Sequence, residues 1–207
     1  MTERPSLRER RRQETRTAIS WAAIRLAVER GLDNVTIEDI ANEAGVSPRT
    51  VNNYFSSKAE AIAARHHDRA IGIAERVRAR PADEPIWEAI TQAALARFEA
   101  DHTEQTDQTG PVSTPDPEWT QGVQLMMAEP ALQGEFQKAN VAAEIALSQA
   151  VADRTGTDAD HDLYPLLVAT AAGAAIRAAM AHWARADPPV SFREVLREVF
   201  SAVTVEL

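Results

Sequence analysis

Apolar residues recur along most of this chain at the three- and four-residue spacing of amphipathic α-helices. The stripes are clearest in four segments, whose apolar members are Ile19, Ala22, Ala23, Leu26 and Ala27; Ile86, Trp87, Ile90, Ala94 and Phe98; Leu163, Leu166, Leu167, Ala171 and Ala174; and Phe192, Val195, Leu196, Val199, Phe200 and Val203. Nowhere does the alternation of apolar and polar residues that is typical of strands compete with this spacing. The pattern predicts an all-α protein of about nine helices.

Capping and helix-breaking residues predict where the other helices begin and end. The first stripe stops at Gly31, and Pro81 ends a long helix that starts near Ser57. A polar segment that contains proline, residues 102–117, is predicted to be a loop. The remaining helices are expected over 119–128, from Pro130 to about Asp153, over about 160–185 and over 191–205.

The stretch TIEDIANEAGVSPRTVNNYFSSK predicts two short helices in close succession. Thr36 and Asp39 form a capping pair at the start of the first helix. Gly45 follows its last apolar residue, where a turn with positive φ favours glycine. Ser47 caps the second helix and Pro48 occupies its first turn, where a missing N–H does no harm. Two short helices joined by a glycine-containing turn predict a helix-turn-helix.

The outer face of the second short helix is polar. Its members are Arg49, Thr50, Asn52 and Asn53. Because it lacks large aliphatic side chains, this face is poorly suited to packing and well suited to hydrogen bonding with base edges and phosphates. A solvated helix face is the alternative interpretation.

Charge is distributed unevenly along the chain. Residues 1–80 hold 15 Lys and Arg against 11 Asp and Glu, a net charge of +4. Residues 81–207 hold 7 against 20, a net charge of −13, and the two parts give the total of −9. A basic N-terminal segment followed by an acidic remainder predicts that the N-terminal segment binds a polyanion. The alternative is that the arginines only decorate solvated helices.

Arginines are concentrated ahead of the first stripe. They are Arg8, Arg10, Arg11, Arg12 and Arg16, interleaved only with Glu9 and Glu14. Since they adjoin the predicted helix-turn-helix, we expect a mobile arm that neutralises phosphates or enters the minor groove, with Arg10, Arg11 and Arg12 as DNA contacts. A frayed, solvated N-terminus is the alternative.

The chemistry-bearing residues form no recognisable catalytic or metal site. The chain has no cysteine, which excludes thiol nucleophiles, disulfides and thiolate metal ligands. It contains neither a G-x-S-x-G nor a phosphate-binding loop motif. Asp158, Asp160 and Asp162 resemble the opening of a calcium loop, but Leu163 stands where glycine is needed and Ala169 where glutamate is needed. We therefore expect no enzymatic activity, no cofactor and no metal.

The apolar run from Leu163 to Ala184 is the one segment that approaches the length of a membrane span. It carries Arg177, so we predict a buried helix instead. The N-terminal residues are charged and lack an apolar signal core. These features predict a cytoplasmic protein that does not interact with a membrane.

Over residues 13–73 the chain resembles the N-terminal domain of the TetR family of transcriptional regulators. The motifs that carry the resemblance are Gly31-Leu32, Val35-Thr36-Ile37, Asp39-Ile40-Ala41, Ala44-Gly45-Val46-Ser47, Tyr54-Phe55 and Ser57-Lys58. The resemblance implies a DNA-binding domain over 13–73 with its helix-turn-helix at 36–55. It also implies an effector-binding and dimerisation domain over 81–207.

The same resemblance implies which residues contact DNA. They are Thr36 and Lys58 at phosphates, Ser47, Arg49, Thr50 and Asn53 in or near the major groove, and Tyr54 at a backbone oxygen or inside the protein. Asn52 departs from the family, because many members carry an aromatic residue there. Asparagine can itself read adenine or bond phosphate, so Asn52 is included among the expected contacts. Phe55 is expected in the core.

In the second half, only the number, length and position of the helices match the family. There the resemblance implies an effector pocket, for which the candidates are Trp87, Phe98, Trp119, Met126, Met127 and Phe136. The last two helices would pair with their copies in a four-helix dimer interface. The candidates for that interface are Leu166, Thr170, Ala174, Leu196, Val199, Phe200 and Val203. A role for these stripes in the internal core is the alternative.

Together these expectations predict a homodimeric repressor that binds a palindromic operator in double-stranded DNA. A small apolar or amphipathic effector would release it. Two alternatives stay open: an activator or architectural DNA-binding protein without an effector, and a helical enzyme or carrier with an incidental helix-turn-helix.

Overall fold

The computed structural model describes residues 6–105, 124, 128–183, 185–186 and 190–206, and these residues contain helices and no strands. The α-helices are α1 Leu7–Arg30, α2 Ile37–Glu43, α3 Pro48–Tyr54, α4 Lys58–Ala79, α5 Ile86–Gln105, α6 Pro130–Thr155, α7 Leu163–Trp183 and α8 Phe192–Glu206, with a 3-10 turn at Leu32–Asn34 between α1 and α2. The prediction of an all-α fold is confirmed. The short helix predicted over 119–128 falls almost entirely outside the described residues.

Helix α1 begins earlier than the sequence pattern indicated. Ser6 caps it by accepting a hydrogen bond from the Glu9 backbone N–H at 3.2 Å, while the Glu9 carboxylate accepts one from the Ser6 N–H at 2.7 Å. The arginines from Arg8 to Arg16 therefore lie in this helix, and the prediction of a mobile arm ahead of it is wrong. The physical reason is the capping box, which stabilises a helix start twelve residues ahead of the first apolar stripe residue, Ile19.

Helix α5 extends further than predicted. It continues to Gln105, so the first residues of the loop expected over 102–117 are helical. The run ADHTEQ that ends α5 contains neither glycine nor proline. The first helix-breaking residues after it in the sequence are Gly110 and Pro111.

The chain divides into two compact units. The first consists of residues 1–66 with 117–137, and the second of residues 67–116 with 138–207. The division therefore falls inside α4, and it assigns the first turns of α6 to the first unit. The expected domains are 13–73 and 81–207. The observed first unit ends earlier, at residue 66, and also includes residues 117–137.

The core of the first unit holds the helix-turn-helix in place. Its fully buried side chains include Ile19 of α1, Ile40 of α2 and Val51 of α3, and Leu132 of α6 joins the same cluster. Burial of such side chains supplies the main favourable term for packing short helices, which are unstable alone. Helices α2 and α3 therefore depend on α1 for their position.

The core of the second unit is formed by α4, α5, α6, α7 and α8. Leu196 and Phe200 of α8 are 0% and 1% exposed, and Val199 and Val203 pack against the same cluster. The apolar face of α8 therefore belongs to the core of its own chain. The expected dimer interface is therefore corrected for Leu196 and Phe200, whereas the half-buried Val199 and Val203 stay predictions. Periodicity shows that a face is apolar without showing what covers it.

Helix α7 exposes an apolar face. Leu163, Leu166 and Leu167 are 72%, 51% and 49% exposed, and Thr170 and Ala174 are also exposed. By length and composition α7 could cross a membrane, and only 33% of its most apolar 18 residues are buried. The expectation of a buried helix thus holds for one side of α7 only.

Candidate nucleic-acid interface

The first helix of the helix-turn-helix begins with a reciprocal cap. Thr36 Oγ1 accepts from the Asp39 N–H at 3.1 Å, and Asp39 Oδ2 accepts from the Thr36 N–H at 2.9 Å. The Thr36 hydroxyl also donates to Asp39 Oδ2 at 2.6 Å. Hydrogen bonds from the Thr36 side chain and backbone lower the pKa of the Asp39 carboxyl, and the charge of Arg30 adds to the effect. The Thr36 hydroxyl hydrogen is thus already used within the chain.

The turn between α2 and α3 depends on glycine. Gly45 has φ +67°, in the left-handed region, and the Val46 N–H donates to the Ala41 carbonyl at 2.9 Å across the turn. Ser47 then caps α3, its Oγ accepting from the Thr50 N–H at 3.1 Å and lying 2.8 Å from Thr50 Oγ1. These local bonds fix the direction in which α3 leaves the turn.

Helix α3 has one buried side and one open side. Val51 is fully buried, whereas Arg49, Asn52 and Asn53 are exposed. Within the described part of the chain, these three exposed side chains make no hydrogen bond or ion pair. Because the opposite side of α3 is packed in the core, the donors and acceptors on its exposed side are available to base edges and phosphates.

The other predicted contacts on this element lie less openly. Ser47 is exposed, but Thr50 is half-buried and bonded to Ser47. Tyr54 is half-buried and packs against the core of the first unit, beside the Phe55 ring at 6.4 Å. Phe55 is 2% exposed, which confirms its expected place in the core.

Lys58 has a role that the sequence did not indicate. Its Nζ donates to the carbonyl oxygens of Leu32 at 2.6 Å and Val35 at 3.1 Å, at the turn that leads into α2. Two of its three N–H donors are therefore used within the chain. The lysine joins the start of α4 to the start of the helix-turn-helix. No local sequence signal points to this, because the partners lie 26 and 23 residues away.

The arginines of α1 include one that reaches α3. The Arg16 guanidinium lies over the Phe55 ring, 5.1 Å from its centroid, directly after α3. Arg8 and Arg12 share its side of α1 because they precede it by eight and four residues. Arg10 and Arg11 are also exposed but stand off this four-residue row, and Arg10 lies 3.9 Å from Glu14.

The residues predicted to line an effector pocket are not all in one unit. Trp87 and Phe98 pack against the core of the second unit, where the Phe98 ring lies 4.6 Å from that of Phe192. Phe136 belongs to the first unit and contacts His66 edge-on at 5.4 Å. Trp119, Met126 and Met127 lie outside the described residues.

Two family models match the chain. The model described as bacterial regulatory proteins of the tetR family matches residues 19–64, and that of the MftR C-terminal domain matches residues 84–207. The chain belongs to the TetR family of transcriptional regulators. As a member of the TetR family it is a DNA-binding regulator of transcription and not an enzyme.

Individual TetR-type regulators are similar over most of their length. The HTH-type transcriptional regulator TcmR of Streptomyces glaucescens is 27% identical over 187 residues, which are 88% of this chain and 79% of TcmR. A structure described as a TetR-family regulator of Syntrophomonas wolfei shares the fold with a TM-score of 0.65 at 14% identity, covering 94% of this chain and 95% of its own. The regulator FadR of Bacillus subtilis, in complex with stearoyl-CoA, has a TM-score of 0.59 at 14% identity, with 92% and 98% covered.

Proposed function

We propose that this TetR-family regulator is a homodimeric repressor that binds a palindromic operator and releases it when a small molecule binds. The observation that supports DNA reading most directly is the open side of α3. Arg49, Asn52 and Asn53 are exposed there, while Val51 anchors the opposite side. Binding to chromosomal DNA also favours a cytoplasmic location for the protein.

The geometry supports a division of roles among the DNA-contacting residues. Asn53 and Asn52 carry amides that suit adenine edges, and Arg49 suits guanine or a phosphate. Thr36 and Ser47 cap their helices, so we expect phosphates to bind the free N–H groups at these helix starts more than the hydroxyls. Lys58 keeps one N–H donor for a phosphate beyond its two backbone carbonyls.

The exposed side of α7 supports the dimer. Leu163, Leu166 and Leu167, with Thr170 and Ala174, form an apolar strip that a second copy would cover. Two copies are also needed for specificity, since one helix-turn-helix reads too few base pairs to stand out in a genome. We therefore keep Leu166, Thr170 and Ala174 in the proposed interface, with the half-buried Val199 and Val203, and replace Leu196 and Phe200 by Leu163 and Leu167 of α7.

A ligand role is proposed for the domain over 81–207. The aromatic cluster of Phe98, Phe192 and Trp183, together with Trp87, offers apolar surface for a small apolar or amphipathic molecule. The B. subtilis FadR complex holds a ligand of that amphipathic kind, stearoyl-CoA. We propose that ligand binding changes the arrangement of α4, which contributes residues to both units, and so changes the separation of the two α3 helices.

Substitution of Asn53 tests the reading role of α3. Asn53→Ala removes an exposed amide without disturbing a hydrogen bond within the described chain, so folding should be unchanged. We expect the binding free energy to weaken by about 1–3 kcal/mol on an operator that the wild-type protein has selected from random sequences. Binding to unrelated DNA should barely change, because that binding depends on phosphate contacts. Fluorescence anisotropy at a fixed salt concentration measures both.

Asn42→Ala is the matched control, since it removes the same amide from an exposed position on α2. It should leave the preference for operator over unrelated DNA intact. If Asn53→Ala and Asn42→Ala reduce operator binding equally, α3 is not the reading helix. If no palindromic sequence is selected at all, the proposed function itself is wrong.

A further inference from the structure

One side chain of α6 forms four hydrogen bonds at the C-terminal end of α4, whose Ile73, Ala74 and Val77 also lie in the core of the second unit. Arg154 donates from Nη1 to the carbonyl oxygens of Val77 at 3.2 Å and Arg80 at 2.8 Å. From Nη2 it donates to Pro81 at 2.7 Å and Glu84 at 3.0 Å. Each of these nitrogens carries two N–H groups, so all four are used. One planar group thus joins the last turn of α4 to the whole connection that leads into α5.

The residue before Arg154 also binds α4, but as an acceptor of hydrogen bonds. Asp153 Oδ2 accepts from Arg78 Nε at 2.8 Å, and Asp153 Oδ1 accepts from Gln149 at 3.2 Å. The hydrogen bond from Arg78 is the main cause of the lowered pKa of the Asp153 carboxyl. The Arg78–Asp153 pair is solvent-exposed and contributes little by itself. Arg154 is the stronger link, because it is half-buried and donates to four carbonyls. The carbonyls of Val77 and Pro81 also accept from the backbone N–H groups of Arg80 and Glu84, at 3.3 and 3.2 Å.

We propose that Arg154 is a positioning residue for operator binding: it fixes the C-terminal end of α4 to α6 and so sets the spacing of the two α3 helices in the dimer. This inference rests on the proposed dimeric function. The other end of α4 is tied to the reading unit through Lys58 and the buried Ala61 and Ile62. Helix α4 therefore contributes side chains to the core of each unit.

Arginine is required at this position by geometry. A methionine of similar length can fill the space but donates no hydrogen bond. A lysine has three N–H donors on one atom and cannot reach four carbonyls spread over Val77 to Glu84. Without the guanidinium the last turn of α4 and the connection after it lose these four hydrogen bonds while Ile73, Ala74 and Val77 stay in the core, so the end of α4 is held less tightly and the half-site spacing varies more. Each α3 can then still read one half-site, but reading both at once requires ordering α4 again.

The test compares binding of Arg154→Met to the full operator and to an isolated half-site. We expect the ratio of full-site to half-site affinity to fall by about tenfold, a magnitude typical of coupling between sites. Half-site binding should be unchanged, because the first unit is untouched. Arg154→Lys should give an intermediate ratio. Arg76→Met is the matched control: Arg76 is exposed on α4, makes no ion pair within the described chain, and its loss removes the same charge.

An equal fall in full-site and half-site affinity would show a general loss of folding and overturn the inference, as would an unchanged ratio. A second measurement uses the wild-type protein and does not depend on how the variants fold. Hydrogen exchange over residues 77–84 should slow when operator DNA binds, and no change there would also contradict the inference. If the wild-type protein selects no palindrome, the proposed function fails; if it does and the Arg154→Met ratio is unchanged, only this inference fails.

Discussion

Gly45 and Gly134 both belong to the first unit but stand in opposite conformations. Gly45 has φ +67° in the turn of the helix-turn-helix, whereas Gly134 lies in α6 with helical φ, and a Cβ added to either meets no atom within 4 Å. Steric room for a side chain is therefore the same at the two positions. Only the backbone conformation separates them, since a side chain is disfavoured in the left-handed region and favoured in a helix.

Alanine substitutions at these two positions should have effects of opposite sign. Gly45→Ala should lower the free energy of unfolding by about 1–2 kcal/mol, the cost of left-handed backbone for a residue with Cβ. Gly134→Ala should raise it by about 0.5–1 kcal/mol, because alanine loses less backbone entropy in a helix. Urea denaturation followed by circular dichroism measures both. Gly45→Asn should fall between wild type and Gly45→Ala, and a Gly45→Ala protein as stable as wild type would contradict the assignment.

At the scale of single residues, the sequence predicted the helix caps and the turn, whose hydrogen bonds are local. The caps at Thr36 and Ser47 and the turn at Gly45 could be predicted because every partner lies within five residues. Lys58 and Arg154 could not, because their partners are distant carbonyl groups that carry no side-chain signature. A hydrogen bond to backbone oxygen leaves no trace in residue type.

At the scale of elements, the capped start of α1 makes its arginines part of a helix. Arg8, Arg12 and Arg16 follow one another at four-residue spacing on one side, and Arg16 lies over Phe55 at the end of α3. This predicts that Arg8 and Arg12 lie nearer the DNA than Arg10 and Arg11 do. Each phosphate contact changes the salt dependence of binding by about 0.9 in the logarithmic slope.

The double variant Arg8→Gln with Arg12→Gln should weaken binding to operator and unrelated DNA alike. Its salt slope should fall by about two, because two phosphate contacts are lost. The control is Arg10→Gln with Arg11→Gln, which removes the same charge from positions off the row of Arg8, Arg12 and Arg16 and should change the slope less. Titrations at several salt concentrations separate the pairs. Equal slopes would mean that total charge matters here and not its placement on α1.

Helical periodicity predicted the elements better than their partners. The stripes at Leu166 and at Leu196 look alike in sequence, yet Leu196 is fully buried in its own chain and Leu166 is 51% exposed. Both are apolar faces by the same criterion, and the spacing carries no information on whether the chain or a second copy covers them. Only the packing of α8 against α5 and α7 separates them.

At the scale of the whole molecule, that difference makes the dimer testable. The double variant Leu166→Glu with Leu167→Glu places two charges on the exposed side of α7, where the chain itself should tolerate them. In a dimer they would be buried without partners, which is strongly unfavourable. We therefore expect a folded protein that sediments with the mass of one chain. Leu196→Glu should instead unfold the chain, because that side chain lies in the core.

Operator binding should follow the oligomeric state. The α7 variant should bind the full palindrome no more tightly than a half-site, since each copy then binds alone. Leu7→Glu is the control for sedimentation, because Leu7 is a 75% exposed leucine of the first unit, and that variant should stay dimeric. A double α7 variant that still sediments with the mass of two chains would exclude the α7 face as the interface. A folded monomer that keeps full operator affinity would show that this regulator does not need two copies to select its site.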